Sequence, residues 1–257
     1  MLYGMNLFLW SAELHDGLLP IVEKCKQMGY DGVELPVLDL KDEKKFAAWG
    51  KHLDQFGLRR TGCALHSAAD NPISPDPKVR ALGVENMKRA LDLCAVAKIE
   101  TLMGPYHSAL GEFSGKGPTS DEWKWGVETM CEVAEHAGKV GVMLAIEYLN
   151  RFETYLLNCA ADTVRFVKEV SHPHCRMMYD TFHSNIEEKC VSEAIHSCAD
   201  MLTHVHISEN DRGTPGTGQV NWAENFRTLR EVGCSRERFF VTRNGPRTRA
   251  SRSVLEN

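Results

Sequence analysis

The sequence predicts a (β/α)8 barrel, and three observations carry that prediction. Strand-like and helix-like segments alternate from end to end, which implies a parallel sheet with right-handed crossovers. Eight strands within 257 residues suit one closed barrel better than an open doubly wound sheet. The turn after the first strand, Trp10-Ser11-Ala12-Glu13-Leu14-His15, lacks the glycines that an open nucleotide-binding sheet places there.

The elements follow in order. Residues 2–9 (LYGMNLFL) read as strand one. Residues 17–28 place Leu18, Ile21, Val22, Cys25 and Met28 at helical spacing, and Gly29 stops that helix. Val33 to Val37 is strand two, 43–56 a helix ended by Gly57, and Leu58 to Leu65 strand three. Asp76 and Pro77 are the N-cap and first-turn proline of a long helix reaching about Ala97. Residues 100–103 form strand four. Thr119 and Ser120 open a helix to about His136, with Gly138 and Gly141 after it. Strand five is 142–147 with helix 160–170, strand six 174–180 with helix 186–198, and strand seven 202–207 with helix 222–232. Arg238 to Thr242 is an eighth strand, and no eighth helix follows. Residues 1–242 thus make one barrel domain and 243–257 a divergent arginine-rich tail.

Composition excludes several classes. Hydrophobic residues at 43% and charged residues at 25% are those of a globular chain. A net charge of −5 gives no general attraction to nucleic acid or an anionic membrane surface. No apolar run is long enough to span a bilayer. Met1 to Trp10 lacks a basic leader and is not a signal peptide. The nine scattered cysteines, with no C-x-x-C pair, fit packing roles in a reducing cytoplasm.

Three strands end on groups that are costly to bury alone: Glu147 after Val142-Met143-Leu144-Ala145-Ile146, Asp180 after Met177-Met178-Tyr179, and His206 after His204-Val205. In a barrel the C-terminal strand ends form the active-site face. A lone carboxylate there is commonly a salt bridge and a lone histidine a satisfied structural residue. The joint occurrence on three consecutive strands instead suggests one shared divalent ion. Two carboxylates and an imidazole suit Mn2+, Co2+ or Mg2+. Glu153, His183, Glu209 and Arg212 follow these tips at short offsets, on loops facing the mouth where a polyol would need hydrogen bonds.

These segments, Ile146-Glu147 through Glu153, Tyr179-Asp180 through His183, and His204-Val205-His206 through Arg212, resemble the ketose 3-epimerases of the xylose-isomerase-like TIM-barrel superfamily. The resemblance spans roughly residues 1–240. It implies that Glu147, Asp180 and His206 are metal ligands, with Glu147 also a proton-transfer base. It implies that Glu153, His183 and Arg212 bind the open-chain sugar. The implied reaction is C3 epimerisation of a ketose through a metal-stabilised enediolate, with Mn2+ as the first choice of ion. The resemblance also implies a homodimer or homotetramer.

The chain departs from the pattern at strand eight. The family carries a second proton-transferring glutamate there, where this chain reads Phe239-Phe240-Val241-Thr242-Arg243-Asn244-Gly245. A guanidinium cannot act as a base at neutral pH. The arginine-rich tail reads as a frameshift, because an open barrel would leave strands one and eight uncovered; a genuine divergent end is the other reading. As written, the chain is expected to bind metal weakly and to epimerise poorly or not at all.

Other strand-end groups are secondary. Glu34 and His66 read as substrate-pocket lining or pocket hydrogen bonds or, as in endonuclease IV, as extra metal ligands. Trp10, Tyr106 and Phe113 are expected to wall the mouth against sugar C–H faces, and His107 and Ser108 to stand near the substrate. His66 and Trp10 join the expected substrate-binding set. Alternatives to epimerisation are hydroxypyruvate-isomerase or inosose-dehydratase chemistry on the same scaffold, and a non-catalytic sugar-binding barrel.

Overall fold

The chain folds as a closed barrel of eight parallel strands in sequential order, seen in a computed structural model that describes residues 1–233 and, as backbone, 239–242. The strands are β1 (Leu2–Asn6), β2 (Gly32–Pro36), β3 (Arg59–Cys63), β4 (Thr101–Gly104), β5 (Met143–Glu147), β6 (Cys175–Asp180), β7 (Leu202–Ile207) and β8 (Phe239–Thr242). β8 closes the barrel against both neighbours: Leu2 pairs with Phe239 on one side and His204 with Phe239 on the other. The expected (β/α)8 architecture is therefore present. Arg243, the tail 243–257 and the expected absence of an eighth helix lie outside the described residues.

Helices α1 (Leu19–Gln27), α2 (Glu43–Phe56), α3 (Pro77–Val96), α4 (Ser120–Val140), α5 (Ala160–Val170), α6 (Thr181–Glu187), α7 (Val191–Cys198) and α8 (Trp222–Glu231) connect the strands. Their ends follow local chemistry. Asp42 and Asp76 accept main-chain N–H groups at the starts of α2 and α3, and Thr119 with Glu122 forms a full capping box on α4. Gly57 and Gly141 end α2 and α4 in the left-handed conformation. The apolar faces of the helices pack on the outside of the barrel through Phe46, Trp49, Leu53, Leu91, Val133 and Phe166, all essentially buried.

Three sequence expectations shift. Strand one ends at Asn6, and Leu7–Leu9 form a 3-10 turn because the Asn6 side chain accepts the Phe8 N–H and caps it. Gly138 lies inside α4 rather than after it; a side chain there would come within 3.1 Å of the His172 ring, so glycine marks a close approach and not a stop. The single helix expected over 186–198 is two, because Asp180 accepts the Phe182 N–H at 2.6 Å and starts α6 directly from the strand tip.

Candidate metal and sugar site

The floor of the site is apolar. Cys63, Met103, Ala145 and Met178 form a small buried cluster within the sheet. Side chains two apart on a strand share a face, so Glu147 stands one step beyond Ala145 and Asp180 one step beyond Met178. Both carboxylates are buried, and the register sets Asp180 beside His206.

The three strand tips converge. His206 Nδ1 lies 3.4 Å from Glu147 Oε1 and 3.6 Å from Asp180 Oδ2. His206 Nδ1 is itself buried with no hydrogen-bond partner. Burial favours the neutral ring, but the carboxylates of Glu34, Asp180 and Glu147 outweigh it and hold the His206 pKa well above 6.5. Burial likewise opposes the Asp180 charge, and the charges of His206 and Arg212 overcome it, holding that carboxyl well below the usual carboxylate range. Two carboxylate oxygens around one unpartnered imidazole nitrogen form a donor set that fits a hard-to-borderline divalent ion. Ligand atoms within 4.8 Å of one another also define the groups Glu147–Asp180–His183 and Glu34–His204–His206.

A second ring of polar groups borders this cluster. His183 Nε2 lies 3.8 Å from Glu147 Oε1. Its Nδ1 accepts the Asn150 N–H at 2.9 Å, in the loop after β5. Asn150 also donates through Nδ2 to Glu153 Oε1 at 2.8 Å. Arg212 reaches in from the loop after β7, at a left-handed φ of 62°. Its guanidinium lies over the Phe182 ring at 3.7 Å, 3.1 Å from His183 Nε2, 3.5 Å from Asp180 Oδ2 and 3.8 Å from Glu153 Oε1. Glu153, His183 and Arg212 thus adjoin one another and the carboxylates.

The loop carrying Arg212 is organised by Glu209. Its buried carboxylate accepts N–H bonds from Asn210, Gly216 and Val220 and from the Trp222 indole, at 3.2, 2.8, 2.9 and 2.9 Å. Gly218 passes so close that a side chain there would come within 2.6 Å of Glu209 Cγ.

The remaining expected residues sit further out. His66 is buried, with Nδ1 2.8 Å from Asp70 Oδ2 and no hydrogen-bond partner on Nε2. His107 lies within electrostatic reach of both Glu147 and His66; burial pushes its pKa down to about 3, so it is neutral. Ser108 links His107 Nδ1 to Thr154 Oγ1 at 3.0 and 2.9 Å. Trp10 is 42% exposed at the rim and Phe113 49% exposed against Tyr155. Tyr106 does not wall the mouth: it is fully buried in the main hydrophobic core and donates its hydroxyl to the Leu102 carbonyl. Glu34 is completely buried and makes a hydrogen bond across the barrel to His206. Phe182 and Asn150 joined the site without a sequence signal beyond their place beside Asp180 and Glu153.

Known proteins share this architecture. Residues 22–256 match the family model described as xylose isomerase-like TIM barrel. The chain is 33% identical over 235 residues to D-psicose 3-epimerase of Agrobacterium fabrum, covering 90% of this chain and 81% of that protein. It is 31% identical over 232 residues to L-ribulose 3-epimerase of a Methylomonas species, covering 90% and 80%. The crystal structure of D-allulose 3-epimerase from a Methylomonas species, in complex with D-allulose, superposes with a TM-score of 0.89 at 27% identity, over 96% of this chain and 85% of that one. The chain therefore belongs to the xylose isomerase-like TIM barrel family and, within it, is of the ketose 3-epimerase type.

Proposed function

We propose that this chain is a divalent-metal-dependent isomerase that epimerises a ketose at C3. The observation that carries the reading is the meeting of Glu147 Oε1, Asp180 Oδ2 and His206 Nδ1 within 3.4–3.6 Å of the imidazole nitrogen, in a buried site. Those three residues would hold the ion, with Mn2+ proposed ahead of Co2+ and Mg2+. When bound, such an ion supplies positive charge that polarises a sugar carbonyl and acidifies the adjacent C–H.

The chain's own groups supply the rest. Glu147 is the proposed base: its carboxylate takes the proton from the carbon next to the carbonyl. A positioned base of this kind contributes on the order of 10²–10⁴ in rate. Arg212 and His183 present N–H groups to sugar oxygens, and Glu153 accepts from a hydroxyl while steadying Arg212. The buried apolar floor excludes water from the reacting face. Inversion at C3 needs a second proton donor on the opposite face. The strand-eight segment reads Phe239-Phe240-Val241-Thr242-Arg243-Asn244-Gly245 and carries no glutamate, so same-face exchange of the C3 proton is the least that Glu147 alone would perform. The names of the similar enzymes support a sugar as substrate.

The test is incubation with D-fructose, D-tagatose and L-ribulose in D2O with Mn2+, followed by NMR. Deuterium at C3 with the C3 epimer as product supports the reading. Deuterium at C1 would move the chain to aldose–ketose isomerisation, and ligand-dependent stabilisation with no exchange would make it a binding barrel.

A further inference from the structure

We propose that Glu34 is a positioning residue for His206: anchored on β1 and β3, its carboxylate holds the proton of that imidazole on Nε2 and so turns Nδ1 toward Glu147 and Asp180. The inference rests on the reading of those residues as ligands.

The anchoring is built into the sheet. Asn6, Glu34 and Thr61 occupy one row of register, Asn6 paired with Glu34 and Glu34 with Thr61. Asn6 Nδ2 donates to Glu34 Oε1 at 2.7 Å and Thr61 Oγ1 to Oε2 at 3.2 Å. All three side chains are buried. From this row the carboxylate reaches across the barrel, and His206 Nε2 stands 3.0 and 3.2 Å from its two oxygens. His204 Nε2, two residues earlier on the same face, is 3.3 Å from Oε2.

The chemistry follows from donor and acceptor counting. An ionised carboxylate can only accept, so the proton between it and His206 sits on Nε2 in either charge state of the ring. Nδ1 is then the nitrogen left to face the carboxylates of Glu147 and Asp180. A ring flipped about its Cβ–Cγ axis would set a carbon against both Glu34 oxygens, so the carboxylate would keep Asn6 and Thr61 but lose the His206 N–H. Two neutral donors from β1 and β3 do not need a charge opposite them. Glutamate at this position is explained by what it does to His206, in the manner of carboxylates that orient metal-bound histidines.

The experiment is Mn2+ titration of the full-length protein by calorimetry, for wild type, Glu34→Gln and Thr61→Val, with proton NMR of the buried His206 Nε2–H. Glu34→Gln is expected to weaken Mn2+ binding by about 10–100-fold and to move the Nε2–H resonance upfield, as the acceptor loses its charge. Thr61→Val keeps the carboxylate but removes one anchoring donor from Oε2, and is expected to weaken Mn2+ by about threefold, the worth of one hydrogen bond. Glu34→Gln binding within about twofold of wild type, outside the loss such partners produce, together with an unmoved Nε2–H, would overturn the proposal. Should Glu34→Gln fail to fold, unchanged affinity and an unmoved resonance in Thr61→Val would overturn it equally. Wild type taking up no Mn2+ would instead sink the ligand reading, while the metal-free Nε2–H spectra of wild type and Glu34→Gln would still decide the positioning.

Discussion

Asn150 donates its main-chain N–H to Nδ1 of His183 at 2.9 Å, and its side-chain nitrogen lies 3.0 Å from the same atom. Nδ1 is therefore an acceptor, and the proton of this buried ring is on Nε2. Burial and the neighbouring Arg212 charge keep His183 neutral against the pull of Asp180. Yet Nε2 stands 3.1 Å from Arg212 Nη2, which is also a donor. Two donors face one point, and an oxygen placed between them would satisfy both. His206 is the opposite case: its Nε2 is committed to Glu34, leaving Nδ1 for the carboxylates. Two imidazoles flank Glu147, and their hydrogen bonds sort them into one suited to a cation and one suited to a substrate oxygen.

That sorting has a direct consequence. His206→Ala is expected to weaken Mn2+ binding at least as much as the roughly 10–100-fold seen on loss of an outer partner. His183→Ala is expected to leave Mn2+ affinity within about threefold while lowering kcat/KM by about 100-fold, the worth of one or two hydrogen bonds to a polar substrate. Metal titration and steady-state kinetics on the two variants check this. Equal loss of metal in both would place His183 in the coordination set instead.

Removal of metal should destabilise the barrel. Four buried ionisable groups of like or competing demand, Glu34, Glu147, Asp180 and His206, crowd one end of the sheet. An ion bound to the folded state alone, at 100 times its Kd, adds about 2.7 kcal/mol. The expected result is a melting temperature that rises on Mn2+ addition and returns on chelation. A metal-independent Tm would contradict the ligand assignment.

Glu209 should give the loop after β7 a pH dependence. Burial opposes its charge, but the N–H donors of Val220, Trp222, Gly216 and Asn210 prevail and pull its pKa down from 4.5 to about 2. A carboxyl whose pKa falls on folding contributes stability that is complete above its unfolded value and is lost as pH falls toward the folded one. The loop's contribution is thus whole above about pH 4.5 and fades toward pH 2. Glu209→Gln turns an amide donor toward a cluster of donors. It is expected to flatten that acid limb in a pH series of Tm, and to raise KM about tenfold by loosening Arg212, a cost of about 1.4 kcal/mol. Unchanged KM would show that Arg212 keeps its place without this loop.

Gly104 should tolerate no side chain. It ends β4 at φ 139°, and a Cβ there would come within 2.0 Å of the Ala64 carbonyl oxygen. Gly104→Ala therefore combines a backbone conformation that L-residues avoid with a main-chain clash. A loss of about 3 kcal/mol or more is expected, read by chemical denaturation. A loss below about 1 kcal/mol, the size of an ordinary surface change, would mean the strand end can shift.

Much of this protein is local, and the local part was legible in its residues. Hydrophobic runs, capping residues such as Asp76 and Thr119, and glycines such as Gly57 and Gly141 act within a few positions, so element order and most boundaries follow from them. The tips Glu147, Asp180 and His206 were legible for the same reason: a charged group ending a buried strand is visible in one dimension. Closure of the barrel decided the rest. Glu34 and His206 are 172 residues apart and meet only because β1 to β3 face β7 across the interior. The bond from Tyr106 to the Leu102 carbonyl, the cap by which Asp180 starts α6, and the Asn150 donor that sets the His183 proton depend on which atoms come within about 3 Å of one another. Periodicity carries no such information, since it reports which face a residue takes and not what stands opposite.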